Sequence, residues 1–416
     1  MVDRGTGQGA AALLRGLDAA RGALAGGAFA AAEREAAALV AAFPGSADAH
    51  NLRGSALRNL GRLADAAESF AQAVRLAPDV PELRSNLGLC LKRLGRAGQS
   101  IPHLRFAAER APHLIQAGLH LQQVYQALVP RWHFTMLRDE RRNEAYERAL
   151  REVVRPGQRV LDIGTGSGLL AMMAARAGAG EVVACEAVPA IAAKAREIVA
   201  ANGLADRVRI VDKPSSRLVP GVDMPGPADV LVTEIFDAAL IGEGALPTFE
   251  DAWARLLAPD ATVIPGRGRV LAQAVESRDL REALAVGEVS GFDLSAFNEF
   301  ASRYLPTTNL PPFAFAPLSE ACVLFEVDFH ARRHAPAERR AAMRAEADGQ
   351  VDAVLVWCDI ALTASISCDN APGLGEGPTH WGQMVQLVLP GRPVRAGDEL
   401  RLVARHDTAC IAVALE

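Results

Sequence analysis

Apolar residues recur through the first 128 positions at helical spacing, in blocks separated by short turns, and three of those turns carry proline at one fixed interval. Pro44, Pro78 and Pro112 are 34 residues apart. Aligned on them, residues 47–80 place Gly54 where two helices must approach closely, Ala66 and Ala73 on the inner face of a second helix, and Phe70 between them. Residues 81–114 repeat this with Gly88 and Ala107, while Ser100 and Leu104 take the other two places. Residues 13–46 keep only Ala32 and Pro44, as a terminal unit with one neighbour can. The pattern predicts three stacked helix pairs followed by a further helix at 115–128.

The pattern then changes twice. After a helical stretch at 136–150, short buried runs at Arg159–Ile163, 182–185, 207–211 and 230–233 alternate with helical segments, of which 169–177 is the most apolar. From Val263 onward, short strands of alternating character at 269–275, 321–329, 354–360, 384–389 and 399–404 are separated by Pro and Gly turns. Residues 284–312, with Gly291-Phe292-Asp293-Leu294 and Phe297, interrupt them as a helical or irregular insertion. Three regions are expected: a helical repeat domain at 1–128, an α/β domain at 129–264, and a β-barrel-like domain at 265–416.

Composition narrows the reading. The 416 residues are 50% hydrophobic and 22% charged with a net charge of −5, which excludes disorder as the dominant state. No apolar run reaches the length of a bilayer span and no signal-peptide pattern opens the chain, so a cytoplasmic protein without membrane partners is expected. Six separated cysteines form no Cys-x-x-Cys pair, and neither disulfides nor a metal site is expected. Lysine occurs only at Lys92, Lys194 and Lys213, and no basic cluster suggests nucleic acid.

The strongest chemistry lies at 160–168, Val-Leu-Asp-Ile-Gly-Thr-Gly-Ser-Gly, where a strand meets a glycine turn and a helix start. Glycines fall at Gly164, Gly166 and Gly168, but Leu169 stands where a dinucleotide site needs its third glycine, so hydride transfer is disfavoured. The next strand ends at Glu186, where a carboxylate can accept both ribose hydroxyls of a nucleoside. The segment resembles class I S-adenosylmethionine-dependent methyltransferases, and Asp162 within the turn is counted with its cofactor-binding residues.

Three further segments carry a closer resemblance. Trp132-His133-Phe134-Thr135-Met136-Leu137-Arg138-Asp139-Glu140-Arg141-Arg142, the stretch from Thr233-Glu234 to Glu243-Gly244, and Thr379-His380-Trp381 all look like the protein arginine N-methyltransferase family. The 34-residue period is that of tetratricopeptide repeats, so the chain resembles the repeat-containing branch of that family, with features of the monomethylating branch and one catalytic module. The resemblance implies methyl transfer from S-adenosylmethionine to an arginine nitrogen of a protein, leaving S-adenosylhomocysteine. Glu234 and Glu243 would grip the guanidinium. Arg142 would pair with the cofactor carboxylate, Met136 would pack near the sulfonium, and Ser215 would lie beside adenine. His380 would pair with Asp139 and help the departing proton, and Trp381 would wall the arginine slot or fill the core. In the family an insertion like 284–312 is a dimerisation arm, which implies a homodimer. The repeats are expected either to recruit substrate or to brace the catalytic module. A methyltransferase for a small guanidine, and an inactive peptide-binding scaffold, remain as alternatives.

Overall fold

A computed structural model describes residues 4–307, 310, 312–373 and 381–416. The chain divides into two compact units, Met1–Arg131 and Trp132–Glu416.

The first unit is built of helices α1 (Arg4–Ala25), α2 (Phe29–Ala42), α3 (Ala47–Asn59), α4 (Leu63–Leu76), α5 (Pro81–Arg93), α6 (Ala97–Arg110) and α7 (Ile115–Leu128). Each packs on the next, and α3, α5 and α7 also touch in sequence, so the first helices of successive pairs share one face. The helices start where the sequence supplies a cap: the Ser46 hydroxyl accepts the Ala49 N–H at 3.2 Å, and Pro81 opens α5. Gly54 and Gly88 are needed because a Cβ at either would stand 2.7 Å from Phe70 or Leu104 of the paired helix. Phe70, Leu57, Ala66, Ala73 and Leu87 form the buried centre of this stack.

The second unit opens with α8 (Trp132–Leu137), which has no buried residue, and α9 (Glu140–Val153). In α9, Arg142, Ala145, Tyr146, Ala149 and Leu150 are buried, a stripe at the spacing of one helix face, and Asp139 caps the helix through the Arg142 N–H at 3.0 Å. There follow β1 (Arg159–Ile163), α10 (Leu169–Arg176), β2 (Glu181–Cys185), α11 (Pro189–Ala201), β3 (Val208–Val211), β4 (Ala228–Thr233), α12 (Ala245–Arg255) and β5 (Leu257–Ile264). The strands pair in parallel in the order β3-β2-β1-β4-β5. The order in which strands are added reverses between β1 and β4, and in such sheets ligands bind beyond the carboxyl ends of those two strands.

The rest is β-rich. The strands are β6 (Arg267–Glu276), β7 (Glu288–Val289), β8 (Phe292–Asp293), β9 (Tyr304–Pro306), β10 (Ala316–Pro317), β11 (Cys322–Asp328), β12 (Ala337–Arg344), β13 (Gly349–Ala361), β14 (Ser367–Asp369), β15 (Met384–Val394), β16 (Glu399–His406) and β17 (Ile411–Leu415). One sheet runs β10-β6-β13-β15-β9 with β11 on β6 and β14 on β13, and a second is β12-β16-β17. Phe325 of the first meets His406 of the second edge to face at 4.7 Å. β12 was not expected from the pattern, because Glu338, Arg339 and Arg340 are exposed on it and mask the alternation. β13 is instead buried continuously from Val351 to Cys358, as a strand covered on both faces must be.

Residues 278–314 form the interruption. Helix α13 (Arg278–Leu284) leads into the β7–β8 hairpin and a 3₁₀ segment, Ser295–Phe300. Its two ends are pinned together: the Ser277 hydroxyl donates to Ala314 O at 2.6 Å, and the Ala314 N–H donates to Asp279 at 2.8 Å. Asp352, 1% exposed, accepts the Ser277 N–H at 2.9 Å and Arg281 at 2.6 Å. Beyond that root, Phe292, Phe297 and Phe300 are 70%, 67% and 76% exposed.

Replacing Gly54 with valine should destabilise the repeat unit by roughly 1–3 kcal/mol, since Phe70 must yield to the new side chain. Thermal unfolding followed by circular dichroism tests this; an unchanged midpoint would mean that the helix pair has slack at its crossing.

Candidate active site

The site forms where the parallel sheet reverses. Gly164, Gly166 and Gly168 all adopt positive φ (76°, 54° and 85°), which a side chain resists. The Gly164 and Thr165 N–H groups donate to Cys185 O at 3.0 and 3.1 Å, fixing the turn against β2. A Cβ at Gly166 would meet nothing within 4 Å, so a ligand has open access to that backbone. Glu186 stands at the same edge: its carboxylate accepts the Gly166 N–H at 3.1 Å and the Val188 N–H at 2.9 Å. Asp162 is wholly buried below the turn. Its Oδ2 accepts the Thr165 hydroxyl at 2.5 Å, and its Oδ1 has no hydrogen-bond partner among the described residues. Burial pushes the Asp162 carboxyl up to about 7. The open glycine turn and the carboxylate at its edge fit a nucleoside cofactor.

The other wall follows β4. Thr233 ends that strand with its hydroxyl on Ile163 O at 2.7 Å and its own carbonyl taking the Tyr146 hydroxyl at 3.2 Å, which ties α9, β1 and β4 together. The next residue, Glu234, forms an ion pair with Arg142 of α9, and both side chains are 5% exposed. Arg142 also donates to Asn143 at 2.7 Å and lies 5.1 Å from the Tyr146 ring centre. Its Nε has no partner among the described residues. Burial lowers the Arg142 pKa from its ordinary value. The structure therefore joins two residues that the sequence reading assigned separately, Arg142 to the cofactor and Glu234 to the substrate.

Asp237 shapes the loop that follows, accepting the Ala239 and Gly242 N–H groups at 3.0 and 3.1 Å. A Cβ at Gly242 would lie 2.3 Å from Asp237 Oδ2, so only glycine fits there. Glu243 adopts φ 59° and is exposed, yet the crowding around its carboxyl and then the Asp237 carboxylate push its pKa upward. Phe236 anchors the loop by packing 5.4 Å from Phe329 of the β-rich part.

Asp139, Arg141, Arg142, Ser367, Cys368, Asp369 and Trp381 line a cavity beside the ion pair. Trp381, 8% exposed, both lines that cavity and belongs to the main core. Met136 is half-buried on α8. Ser215, 9% exposed, begins a 3₁₀ turn whose carbonyl accepts Arg255 at 3.1 Å, and Lys213 beside it holds both oxygens of Asp223 at 2.8 Å. His380 lies outside the described residues.

Sequence reasoning passed over Asn370, which is 1% exposed. Its side-chain NH₂ donates to Ala238 O in the glutamate loop at 3.1 Å and to Gly382 O at 2.7 Å, and its oxygen accepts the Cys358 N–H of β13 at 2.7 Å. It belongs to no motif; the one available signal was an amide just after Cys368 and Asp369 in a strand-like run.

Fold and site together define an S-adenosylmethionine-dependent methyltransferase. The family described as ribosomal protein L11 methyltransferase (PrmA) matches residues 147–265, and the tetratricopeptide repeat family matches 17–81 and 59–114. An arginine N(omega)-methyltransferase of Streptomyces achromogenes subsp. streptozoticus is 43% identical over 282 residues, 67% of this chain and 77% of that protein. Protein arginine N-methyltransferase 7 of Rattus norvegicus is 34% identical over 312 residues, 68% of this chain and 45% of that protein, so the chain spans a little under half the length of that relative. Among solved structures, the Trypanosoma brucei PRMT1 enzyme-prozyme heterotetrameric complex with AdoHcy matches at TM-score 0.59 and 24% identity, covering 67% of this chain and 89% of that one. The chain belongs to the protein arginine N-methyltransferase family, and arginine methylation with S-adenosylmethionine as donor is its activity.

Asn370→Ala should lower kcat on an arginine peptide by about tenfold while leaving cofactor affinity within about twofold, because it frees the glutamate loop and spares the glycine turn. Steady-state kinetics with calorimetry separates the two effects. Unaltered turnover would show that Asp237 alone holds the loop.

Proposed function

We propose that the chain methylates arginine side chains of protein substrates, that its repeat unit brings those substrates to the catalytic unit, and that it works as a cytoplasmic homodimer. The buried Arg142–Glu234 pair is the observation that carries the assignment of the substrate slot: it marks a carboxylate already complementary to a guanidinium at the mouth of a nucleoside-type pocket. All six cysteines are free, as a reducing compartment would keep them.

S-adenosylmethionine supplies an activated methyl on a sulfonium. The residues of the chain have three tasks around it. Gly164, Gly166 and Gly168 admit the nucleoside, Glu186 accepts its ribose hydroxyls, Ser215 borders adenine, and Asp162 supports the turn. Arg142, with one spare N–H, reaches the cofactor carboxylate while Met136 packs beside the reacting atoms. Glu234 and Glu243 hold the substrate guanidinium. By accepting its N–H bonds they draw positive charge to the held edge and leave electron density on the nitrogen that must attack. The raised affinity of Glu243 for protons weakens if a cationic guanidinium enters, so substrate binding itself restores the carboxylate. His380 and Asp139 stabilise the proton that leaves. The β-rich part acts as a barrel-like wall for the substrate, with Trp381 facing the slot.

The second element of the proposal is assembly. The exposed phenylalanines at 292, 297 and 300 lie on an insertion whose root is rigidly pinned, and an apolar tip of this kind is suited to pack on another copy.

Mass spectrometry of an arginine peptide array set against free arginine tests the substrate class: methylated peptides support the reading, and methylation of free arginine alone overturns it. Glu234→Gln and Glu243→Gln are each expected to lower kcat on an arginine peptide at least about a hundredfold. Glu186→Ala should instead weaken cofactor binding by roughly 1–3 kcal/mol, read by calorimetry. If either glutamine variant retains activity within about tenfold of the parent, the guanidinium roles are wrong.

For the assembly, changing Phe292, Phe297 and Phe300 together to serine should convert a dimer to a monomer in sedimentation equilibrium. A parent chain that is monomeric at micromolar concentration while fully active would remove the arm from the account.

A further inference from the structure

The two units differ in charge. Residues 1–131 contain 15 Lys and Arg against 10 Asp and Glu, leaving 29 against 39 for the rest of the chain. An arginine-rich segment is thus attracted to the catalytic unit and repelled by the repeats. Recruitment by the repeats, if it occurs, must use another part of the substrate.

The face shared by α3, α5 and α7 shows which part. The 34-residue period sets Arg58 and Lys92 at one repeat position, and Asn86 and His120 at another. These side chains meet across the helices: Asn86 donates to Asn51 at 2.9 Å, Arg58 donates to Asn86 at 3.4 Å, and Lys92 lies 3.2 Å from His120 Nδ1 and bonds Gln123. Every one of these partners is neutral. Elsewhere in the unit Arg21 is neutralised by Asp18 and Asp48, Arg53 by Glu33 and Arg62 by Asp65, while Arg75 and Arg84 bond neutral oxygens within their own stretch of chain, of Gln72 and Pro78, instead of meeting across helices. Arg58, Lys92 and Arg93 form no ion pair among the described residues. Arg58 is half-buried, and its pKa is lowered by burial and then by the charge of Arg93, so cations stand close together here against their own repulsion. The three carboxylate-free cations are accompanied by amides that can hydrogen-bond an extended backbone.

We propose that the face of α3, α5 and α7 binds an acidic peptide segment of the protein substrate, separate from the arginine to be methylated. This rests on the reading that the chain acts on proteins. Aspartate and glutamate carboxylates supply the charge that Arg58, Lys92 and Arg93 lack. Asn51, Asn86 and Gln123 take the backbone between them. The substrate is then held at two points of opposite sign, acidic on the repeats and basic on the catalytic unit, which raises the local concentration of its arginine.

The test uses the full chain and two measurements. First, fluorescence anisotropy follows a fluorescein-labelled peptide of alternating glutamate and alanine, a lysine–alanine counterpart, and an oligouridine. The acidic peptide should bind, and weaken as salt rises. Reversing Arg58, Lys92 and Arg93 to glutamate should cost about tenfold or more in its affinity, the sum expected of three modest charge contacts. Second, a short arginine peptide is compared with the same peptide extended by the acidic segment. The extension should lower KM in the parent and not in the variant, with kcat on the short peptide equal in both. Equal acidic-peptide affinity in parent and variant overturns the proposal, and so does preference for oligouridine, which would make this a nucleic-acid surface. Should the triple variant fail to fold, the pair Arg58→Gln and Lys92→Gln is read in the same assays. Absence of methylation on both peptides would instead count against the protein-substrate reading, while the binding result still judges the face.

Discussion

A buried charge must be matched, and the pair of Arg142 with Glu234 imposes that condition on the catalytic unit. Each side chain is 5% exposed. Removing either would strand the other in a medium that solvates it poorly, a loss of roughly 3–5 kcal/mol in comparable buried pairs. The surroundings are arranged so that the two cannot drift apart. Tyr146, one turn along from Arg142, bonds the carbonyl of Thr233, the residue before Glu234, and Thr233 in turn bonds the end of β1. Helix α9 is thereby registered against the two strands whose ends form the ligand crevice.

The same pair bears on the proposed chemistry. A carboxylate that already neutralises an internal guanidinium is poorly hydrated, correctly oriented and surrounded by low-dielectric material, which is what the capture of an external guanidinium requires. On the proposed roles, a cofactor carboxylate at Arg142 would share the charge of that arginine and leave Glu234 more available to a guanidinium.

Much of this was legible beforehand because it is local. The glycine turn at Gly164–Gly168, the acidic end of β2 and the 34-residue period each depend on backbone geometry that only certain residues permit, and the structure shows that geometry in the positive φ angles and in the close approaches at Gly54 and Gly88. What escaped the sequence is relational. That Arg142 faces Glu234 follows from the sheet order, and Asn370 gains its place only when the glutamate loop, β13 and the segment after Trp381 converge. Strand β12 was hidden for a different reason: Met343 is its one buried residue, and the exposed charged residues before it leave no alternation to read. Glu243, named by motif resemblance, lies exposed in the loop that Asp237 shapes.

The pinned root of the 278–314 insertion carries an evolutionary consequence. Ser277, Asp279, Asp352 and Ala314 close the base of the insertion, and β9 within it pairs with β15, which leaves the exposed β7–β8 hairpin and the 3₁₀ segment outside that attachment. Lengthening such a loop costs little, because closure entropy grows only slowly with length. Descendants of this chain can therefore rewrite the exposed tip with little loss of stability in the catalytic unit. Variation at the tip and conservation of the chemistry are separated by a few hydrogen bonds at its base.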